Sequence, residues 1–274
     1  MARVVVVTGC TTGGIGFALC EEFARHGCKV YATSRRIETI GDFSSPTIEK
    51  LSLDVTSDES AARAIQKVID AEGRVDVLVN NAGTIAPGPI LEQSIDYVKK
   101  VLDTNTVSIL RVSKEVMPHM VNRQSGLIVN IGSIVGDVPT PWNGLYSASK
   151  AAVVSISEVM AMELQPFNIQ VLHVAPGGVK SNIAANASNF RLVEESLYAE
   201  YLPDILRRIN TSQATESMAN EEFARQVVGK ALRKKQSFYT YFTLGSNSFT
   251  FKVFKWLPRV WVLRFLWKMY SKKA

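Results

Sequence analysis

No acidic residue follows Glu222 in this chain. Twelve of its 31 lysines and arginines lie beyond that point, so the first 222 residues carry the other 19 against all 25 acids, a net of −6. The overall charge of +6 therefore hides an acidic body and a basic tail. Cysteine is scarce, with only Cys10, Cys20 and Cys28. Their odd number argues against a disulfide framework and their spacing matches no metal motif, so no metal site is expected and the thiols read as buried side chains in a reducing compartment. The three histidines, His26, His119 and His173, match no catalytic position and are expected to be structural. No run of 18 uncharged apolar residues exists, which argues against a simple membrane span. The apolar stretch 4–7 comes so early that no signal peptide is expected ahead of it.

What is present is a large apolar fraction, 46% of 274 residues, ample for the core of one large α/β domain. Valine-, isoleucine- and leucine-rich runs at 4–7, 30–33, 48–53, 75–79, 127–131 and 169–174 read as strands, with 238–242 a candidate for the last. Helical patterns fall between them. They cover 17–25, closed by Gly27; a segment capped by Asp58 with Ala61, Ala62, Ile65 and Ile69 on one face; 98–117; 146–162; and 221–235. Continuous apolar strands alternating with helices predict an α/β fold: a doubly wound, Rossmann-type parallel sheet with helices on both faces. Residues 180–218 lose the pattern. A long irregular insertion after a sheet strand reads as a substrate lid, or else as a peripheral helical excursion, within a domain spanning 1–248.

Chemistry concentrates at Tyr146-Ser147-Ala148-Ser149-Lys150. A tyrosine and a lysine four apart share a helix face, and an ammonium beside a phenol is expected to lower its pKa toward neutrality, giving a proton donor for carbonyl chemistry. Ser133 lies thirteen residues before the tyrosine. Between the first strand and the first helix runs Thr8-Gly9-Cys10-Thr11-Thr12-Gly13-Gly14-Ile15-Gly16, where glycines let backbone come close to a pyrophosphate at a helix N-terminus. The second strand ends in Thr33-Ser34-Arg35-Arg36, without the acid that would bind ribose hydroxyls and repel a 2′-phosphate. Guanidinium groups bind such a phosphate, so the expected cofactor is NADPH, with Arg35 on the phosphate and Arg36 beside the adenine. Asp54 and Val55 end the third strand where the adenine would lie, and Asn81, Ala82 and Gly83 after the fourth would back it.

Over about residues 3–180 these features resemble the short-chain dehydrogenase/reductase family. The resemblance is carried by the glycine-rich turn, Asn80-Asn81-Ala82-Gly83, Asn105, Ser133, Tyr146, Lys150 and Pro176-Gly177. Two positions depart from the pattern: the turn has one residue more than TGxxxGxG, and Ser181 stands where a threonine usually follows Pro-Gly. The turn, Tyr31-Ala32-Thr33-Ser34-Arg35-Arg36 and Pro166-Phe167-Asn168 are similar to the NADPH-dependent 1-acyldihydroxyacetone-phosphate reductases of fungi and plants, although hydroxysteroid and retinol dehydrogenases share much of the pattern. The resemblance implies hydride transfer to a ketone. Tyr146 would act as acid, Lys150 would hold the nicotinamide ribose, Ser133 would bond the carbonyl oxygen, and Asn105 would hold a water linking Lys150 to solvent. Gly9, Thr11, Thr12, Gly14, Ile15 and Gly16 would lie under the phosphates, and Pro176, Gly177, Val179 and Ser181 beside the nicotinamide. The implied reaction is 1-acyldihydroxyacetone phosphate to 1-acylglycerol 3-phosphate. The alternatives are a steroid, retinoid or specialised-metabolite ketone, or a non-catalytic NADPH-binding membrane scaffold.

Residues 249–274 hold four Phe, three Trp and seven Lys or Arg. On a helix after Pro258, Arg264, Lys268 and Lys272 form one narrow stripe among aromatics. Such a helix is expected to lie in a lipid interface, on the cytosolic face of the endoplasmic reticulum or on lipid droplets. The alternatives are a cytoplasmic protein whose tail packs on its own body, or on a second copy in a homo-oligomer. The stripe is too narrow and apolar for a nucleic-acid surface.

Overall fold

The strands in the computed structural model, which describes residues 2–187, 190–213 and 216–272, are β1 (Val4–Thr8), β2 (Lys29–Ser34), β3 (Ile48–Ser52), β4 (Val77–Asn80), β5 (Gly126–Ile131), β6 (Ile169–Pro176) and β7 (Tyr239–Leu244). All pair in parallel, in the order β3-β2-β1-β4-β5-β6-β7. The chain winds outward from β1 toward β3, then crosses back to β4 and winds the other way. The reversal between β1 and β4 leaves a crevice at the strands' carboxyl ends. Side chains alternate across the sheet, so Val5 and Val7 pack in one core layer and Val4 and Val6 in the other. Both faces are covered, which is why all four are buried valines rather than an apolar–polar alternation.

One face carries α1 (Ile15–Arg25) and α8 (Asn220–Ala231); the other carries α2 (Asp58–Glu72), α4 (Ser108–Asn122) and α6 (Gly144–Leu164). Ser57, not Asp58, caps α2: its hydroxyl accepts the Ser60 N–H at 3.2 Å, while Asp58 and Glu59 in the first turn favour the helix dipole. The single helix expected at 98–117 is split into α3 (Ile95–Leu102) and α4 by a π-turn at Asp103–Val107. Such insertions commonly mark functional positions, and this one carries Asn105.

The 180–218 segment is better ordered than its sequence suggests, with short 3-10 turns leading into α7 (Leu202–Ile209). Ile205 and Ile209 are buried beside Trp142. Within this expected lid, Ser188, Asn189, Ala214 and Thr215 lie outside the described residues, as do Lys273 and Ala274 of the tail.

The tail forms α9 (Ser248–Phe254) and α10 (Arg259–Tyr270), and it shares the core of the body. Phe251, Val262 and Leu266 are buried with Ile134, Val135 and Val138. Trp267 and Tyr270 pack in the cluster around Trp142 and Ile205. The Trp142 indole N–H donates to the Tyr270 carbonyl at 3.0 Å, and the Lys272 N–H donates to Asp204 at 3.1 Å. One face of the tail thus packs on the body, joining it to the same domain. The other face stays open to solvent.

Candidate active site

Three elements at the carboxyl end of the sheet converge on Tyr146. Ser133 follows β5 and caps the short helix α5 (Ile134–Asp137) with an extended backbone. Its hydroxyl accepts the Val135 N–H at 3.4 Å and donates to the Pro176 carbonyl at 3.5 Å, and it lies near enough to the Tyr146 phenol to oppose the rise in that phenol's pKa. Tyr146 and Lys150 sit one turn apart on α6, with the lysine Nζ 5.7 Å from the tyrosine ring centre. Lys150 is only 4% exposed, and its amine donates to the Ile131 carbonyl at 2.8 Å. Burial alone pulls the lysine pKa down to about 8.

The expectation that Lys150 would draw the Tyr146 pKa toward neutrality is not met. Burial raises the phenol above its ordinary value, opposed by the Ser133 hydroxyl and then by the charge of Arg208. The cation that acts on the phenol in this structure comes from α7, not from α6. A tyrosine held up in this way stays protonated at neutral pH and is ready to donate a proton.

Asn105 is fully buried. Its amide donates to the Thr84 carbonyl and the Ser149 hydroxyl, both at 2.9 Å, and its oxygen accepts the Thr84 N–H at 2.8 Å. The side chain is committed to fastening the 81–84 loop to α6 beside Lys150. These bonds make it a positioning residue.

A cleft of about 450 Å³ extends from Arg35 to Tyr146. Of the residues assigned to the cofactor, Gly9, Thr11, Gly14, Ile15, Ser34, Arg35, Asp54, Val55, Asn81, Ala82, Gly83, Tyr146, Lys150, Pro176 and Ser181 line it. The glycines suit a close approach of backbone and ligand. Gly9 has φ +73°, and a Cβ there would come within 2.8 Å of Ala82. The Asn81 amide ties this turn down by donating to the carbonyls of Thr8 at 2.8 Å and Gly9 at 3.1 Å. Asp54 sits opposite Arg35: burial works against its charge, but bonds from the Thr56 hydroxyl and N–H, then Arg35 and Arg111, hold its pKa below normal. The Arg35 guanidinium is exposed and makes no ion pair among the described residues. The residues present therefore fit a dinucleotide that carries an extra phosphate on its ribose.

Five assigned residues lie off this cleft. The Thr12 hydroxyl donates to the Thr39 carbonyl at 3.2 Å and accepts the Gly41 N–H at 2.6 Å. Thr12 thus braces the loop after β2. Gly16 is required by packing, because a Cβ there would strike the Gly9 carbonyl and the Asn81 amide. Arg36, exposed at the start of the 3-10 turn Ile37–Thr39, does not line the cleft. Gly177 and Val179 line a second pocket beyond Tyr146.

That second pocket, about 180 Å³, meets the cofactor cleft at Tyr146 and Pro176. Its walls include Ile85, Ile134, Trp142, Ile183 and Phe251, with Arg208 and Tyr270. Trp142, Arg208, Phe251 and Tyr270 were not assigned to the site from the sequence. They come from a loop, the lid helix and the tail, and no spacing pattern relates them.

Residues 3–191 match the family model described as short chain dehydrogenase. An NADPH-dependent 1-acyldihydroxyacetone phosphate reductase of Schizosaccharomyces pombe is 35% identical over 237 residues, covering 83% of this chain and 79% of that protein. A Penicillium ochrochloron protein, short-chain dehydrogenase ptmH, is 34% identical over 237 residues, covering 85% and 86%. Among solved structures, a short-chain dehydrogenase from Streptomyces avermitilis superposes with a TM-score of 0.79 at 30% identity, covering 92% of this chain and 91% of that one. One from Burkholderia cenocepacia, in complex with NADP, shares the fold with a TM-score of 0.75 at 24% identity, covering 97% of each chain.

Proposed function

The chain belongs to the short-chain dehydrogenase family and is an oxidoreductase acting on CH–OH groups, and on that footing we propose that it uses NADPH to reduce a lipophilic ketone, 1-acyldihydroxyacetone phosphate being the substrate that fits best. The observation that carries this reading is the junction of the two pockets. A phenol kept protonated by burial stands with Ser133 between a dinucleotide-shaped cleft and an apolar pocket. NADPH, when bound, supplies the hydride. Ser133 and Tyr146 place two hydroxyls where a carbonyl oxygen can accept from both, and Tyr146 gives up its proton to the oxygen as charge develops there. The Arg208 charge favours the phenolate left behind, and Lys150, held by the Ile131 carbonyl, is placed to bind the nicotinamide ribose. Ile134, Trp142 and Phe251 exclude water from the reacting carbon and receive an aliphatic chain. Steady-state assay with NADPH and a panel of acyl and steroid ketones tests this; no turnover on any of them refutes it.

The cofactor assignment has its own check. Arg35→Ala should weaken NADPH binding by roughly 1.5–3 kcal/mol, the worth of a lost charged contact, and leave NADH nearly untouched. Fluorescence titration with both cofactors measures this. Equal losses, or a native preference for NADH, would overturn the choice.

We further propose that the protein docks on an anionic membrane surface through the outer face of α9 and α10. Among the described residues no helix is long and apolar enough to cross a bilayer. Yet Phe249 is 78% exposed, Trp256 85% and Trp261 71%, with Phe265 half-exposed, interleaved with Lys252, Arg259, Arg264 and Lys268. Apolar rings beside cations, with no acid in the segment, suit an interfacial helix. Deleting the tail would also uncover Ile134, Val135 and Val138, so the sharper test replaces only outward residues. Wild type should co-sediment with phosphatidylserine-containing vesicles and be released by high salt, since each cation contributes roughly 1 kcal/mol. A Trp256→Ser, Trp261→Ser, Phe265→Ser variant should stay in the supernatant with an unchanged melting temperature. Wild type that ignores vesicles would refute the proposal.

A further inference from the structure

Arg208 is the one cation among the residues lining the apolar pocket. It lies on the inward side of α7, half-buried, with its guanidinium 5.4 Å over the Tyr270 ring. Among the described residues its side chain donates only from Nε and Nη2 to one acceptor, the Thr140 hydroxyl, at 3.2 and 3.1 Å. Arginine offers five N–H groups in a fork suited to two oxygens, so most of this capacity is unused. No carboxylate compensates it among the described residues. Asp204, one turn earlier on α7, is taken by Arg207 and by the Lys272 N–H. Glu216, the only acid among the described residues lining the pocket, is exposed and makes no ion pair with any of them. Burial pulls the Arg208 pKa down, opposed by the Tyr270 and then the Tyr146 phenols, and its charge in turn holds the Tyr146 pKa back. A charge drawn out of water without a counter-ion is costly, and a pocket that keeps one is suited to receiving the counter-ion from its ligand.

Resting on the reductase reading above, we infer that Arg208 seats an anionic group of the substrate, a phosphate or a carboxylate, so that the natural ketone carries both an apolar chain and an anion. The tail takes part in this. The Tyr270 ring backs the guanidinium, the Trp142 indole holds the Tyr270 carbonyl, and Lys272 ties Asp204, so α10 sets the position of the specificity residue. The chain's C-terminal segment is therefore a wall of the substrate site as well as an outward surface.

The test compares matched ketones with and without the anion: 1-palmitoyldihydroxyacetone phosphate against 1-palmitoyldihydroxyacetone, and a long-chain keto acid against its methyl ester. Arg208 also acts on the Tyr146 phenol, and that effect is common to both members of each pair. The ratio of their kcat/KM values therefore isolates contact with the anion. In wild type the ratio should favour the anionic member, for the phosphate pair, the carboxylate pair or both, which identifies the anion. Arg208→Gln should reduce it by about 10- to 100-fold, mainly through KM, and Arg208→Lys by less, because the charge survives without the fork. Equal loss on both members of each pair overturns the inference and leaves Arg208 a modulator of Tyr146 alone. If wild type reduces none of these ketones, the reductase reading fails separately. Inorganic phosphate titrated into NADPH-saturated protein then decides: a rise in melting temperature that Arg208→Gln abolishes supports the anion seat, and no difference between the proteins overturns it.

Discussion

Tyr146→Phe is expected to cut turnover by about two orders of magnitude or more while NADPH binding stays nearly intact. The substitution keeps the ring, which lines both pockets, and removes the phenol proton at their junction. Because burial raises the phenol's pKa, wild type holds that proton at neutral pH, so reduction should proceed on a plateau there and fall only when the phenol ionises at alkaline pH. Oxidation of the alcohol needs the phenolate and should rise with pH over the same range. Rapid-mixing measurement of NADPH consumption at several pH values checks both statements. Wild-type-like turnover in the phenylalanine variant would remove Tyr146 as the acid.

Lys150→Met should abolish activity to a similar degree and yet make the protein more stable at pH 7. The lysine is buried, and its pKa falls from 10.5 in an unfolded chain to about 8 in the fold. Below pH 8 both states hold the proton, and the folded state bears the full cost of a buried ammonium. Between pH 8 and 10.5 the unfolded chain keeps a proton that the folded chain has released, so stability rises with pH. Above 10.5 both are neutral and the cost is gone. At about 1.4 kcal/mol per pKa unit the penalty at pH 7 is at most about 3 kcal/mol, from which a lost hydrogen bond to Ile131 removes about 1. The methionine variant should therefore gain roughly 1–2 kcal/mol at pH 7 and lose that advantage by pH 10.5. Urea melts at the two pH values measure it. A variant less stable than wild type at pH 7 would show that the buried amine carries no such cost. The loss of activity would come from weaker cofactor binding, which a separate NADPH titration measures.

Local chemistry was enough for much of this protein. Runs such as 4–7 and 127–131 can only be strands buried on both faces, and their alternation with helices leaves a parallel sheet as the way to cover them. The glycine-rich turn, the acid-free end of β2 and the Tyr146–Lys150 pair depend on spacings of a few residues along one turn or one helix face. Their convergence in a single cleft was legible from those spacings. Cap and turn details were not: Ser57 and Asp58 are both good N-caps, and only backbone geometry chooses between them. Thr12 and Arg36 sit beside cleft residues in sequence but do not line the cleft: Thr12 is bonded to the loop after β2, and Arg36 starts the 3-10 turn there.

The substrate side belongs to the tertiary structure. Arg208 stands 62 positions after Tyr146, and Phe251 and Tyr270 stand farther still, yet all line one pocket. The tail shows the reason most clearly. Nearly every residue of α10 is apolar or cationic, so its composition suits lipid and protein core alike, and no periodicity separates the two. What assigns Val262 and Leu266 to the body and Trp261 and Phe265 to the outside is the shape of the surface presented by α5 and the 142 loop. Short-range spacing along the chain decides which groups can meet on a turn or a helix face. Which distant groups meet across a cavity depends on how whole elements pack, and that information lies in the surfaces of the partners rather than in either segment alone.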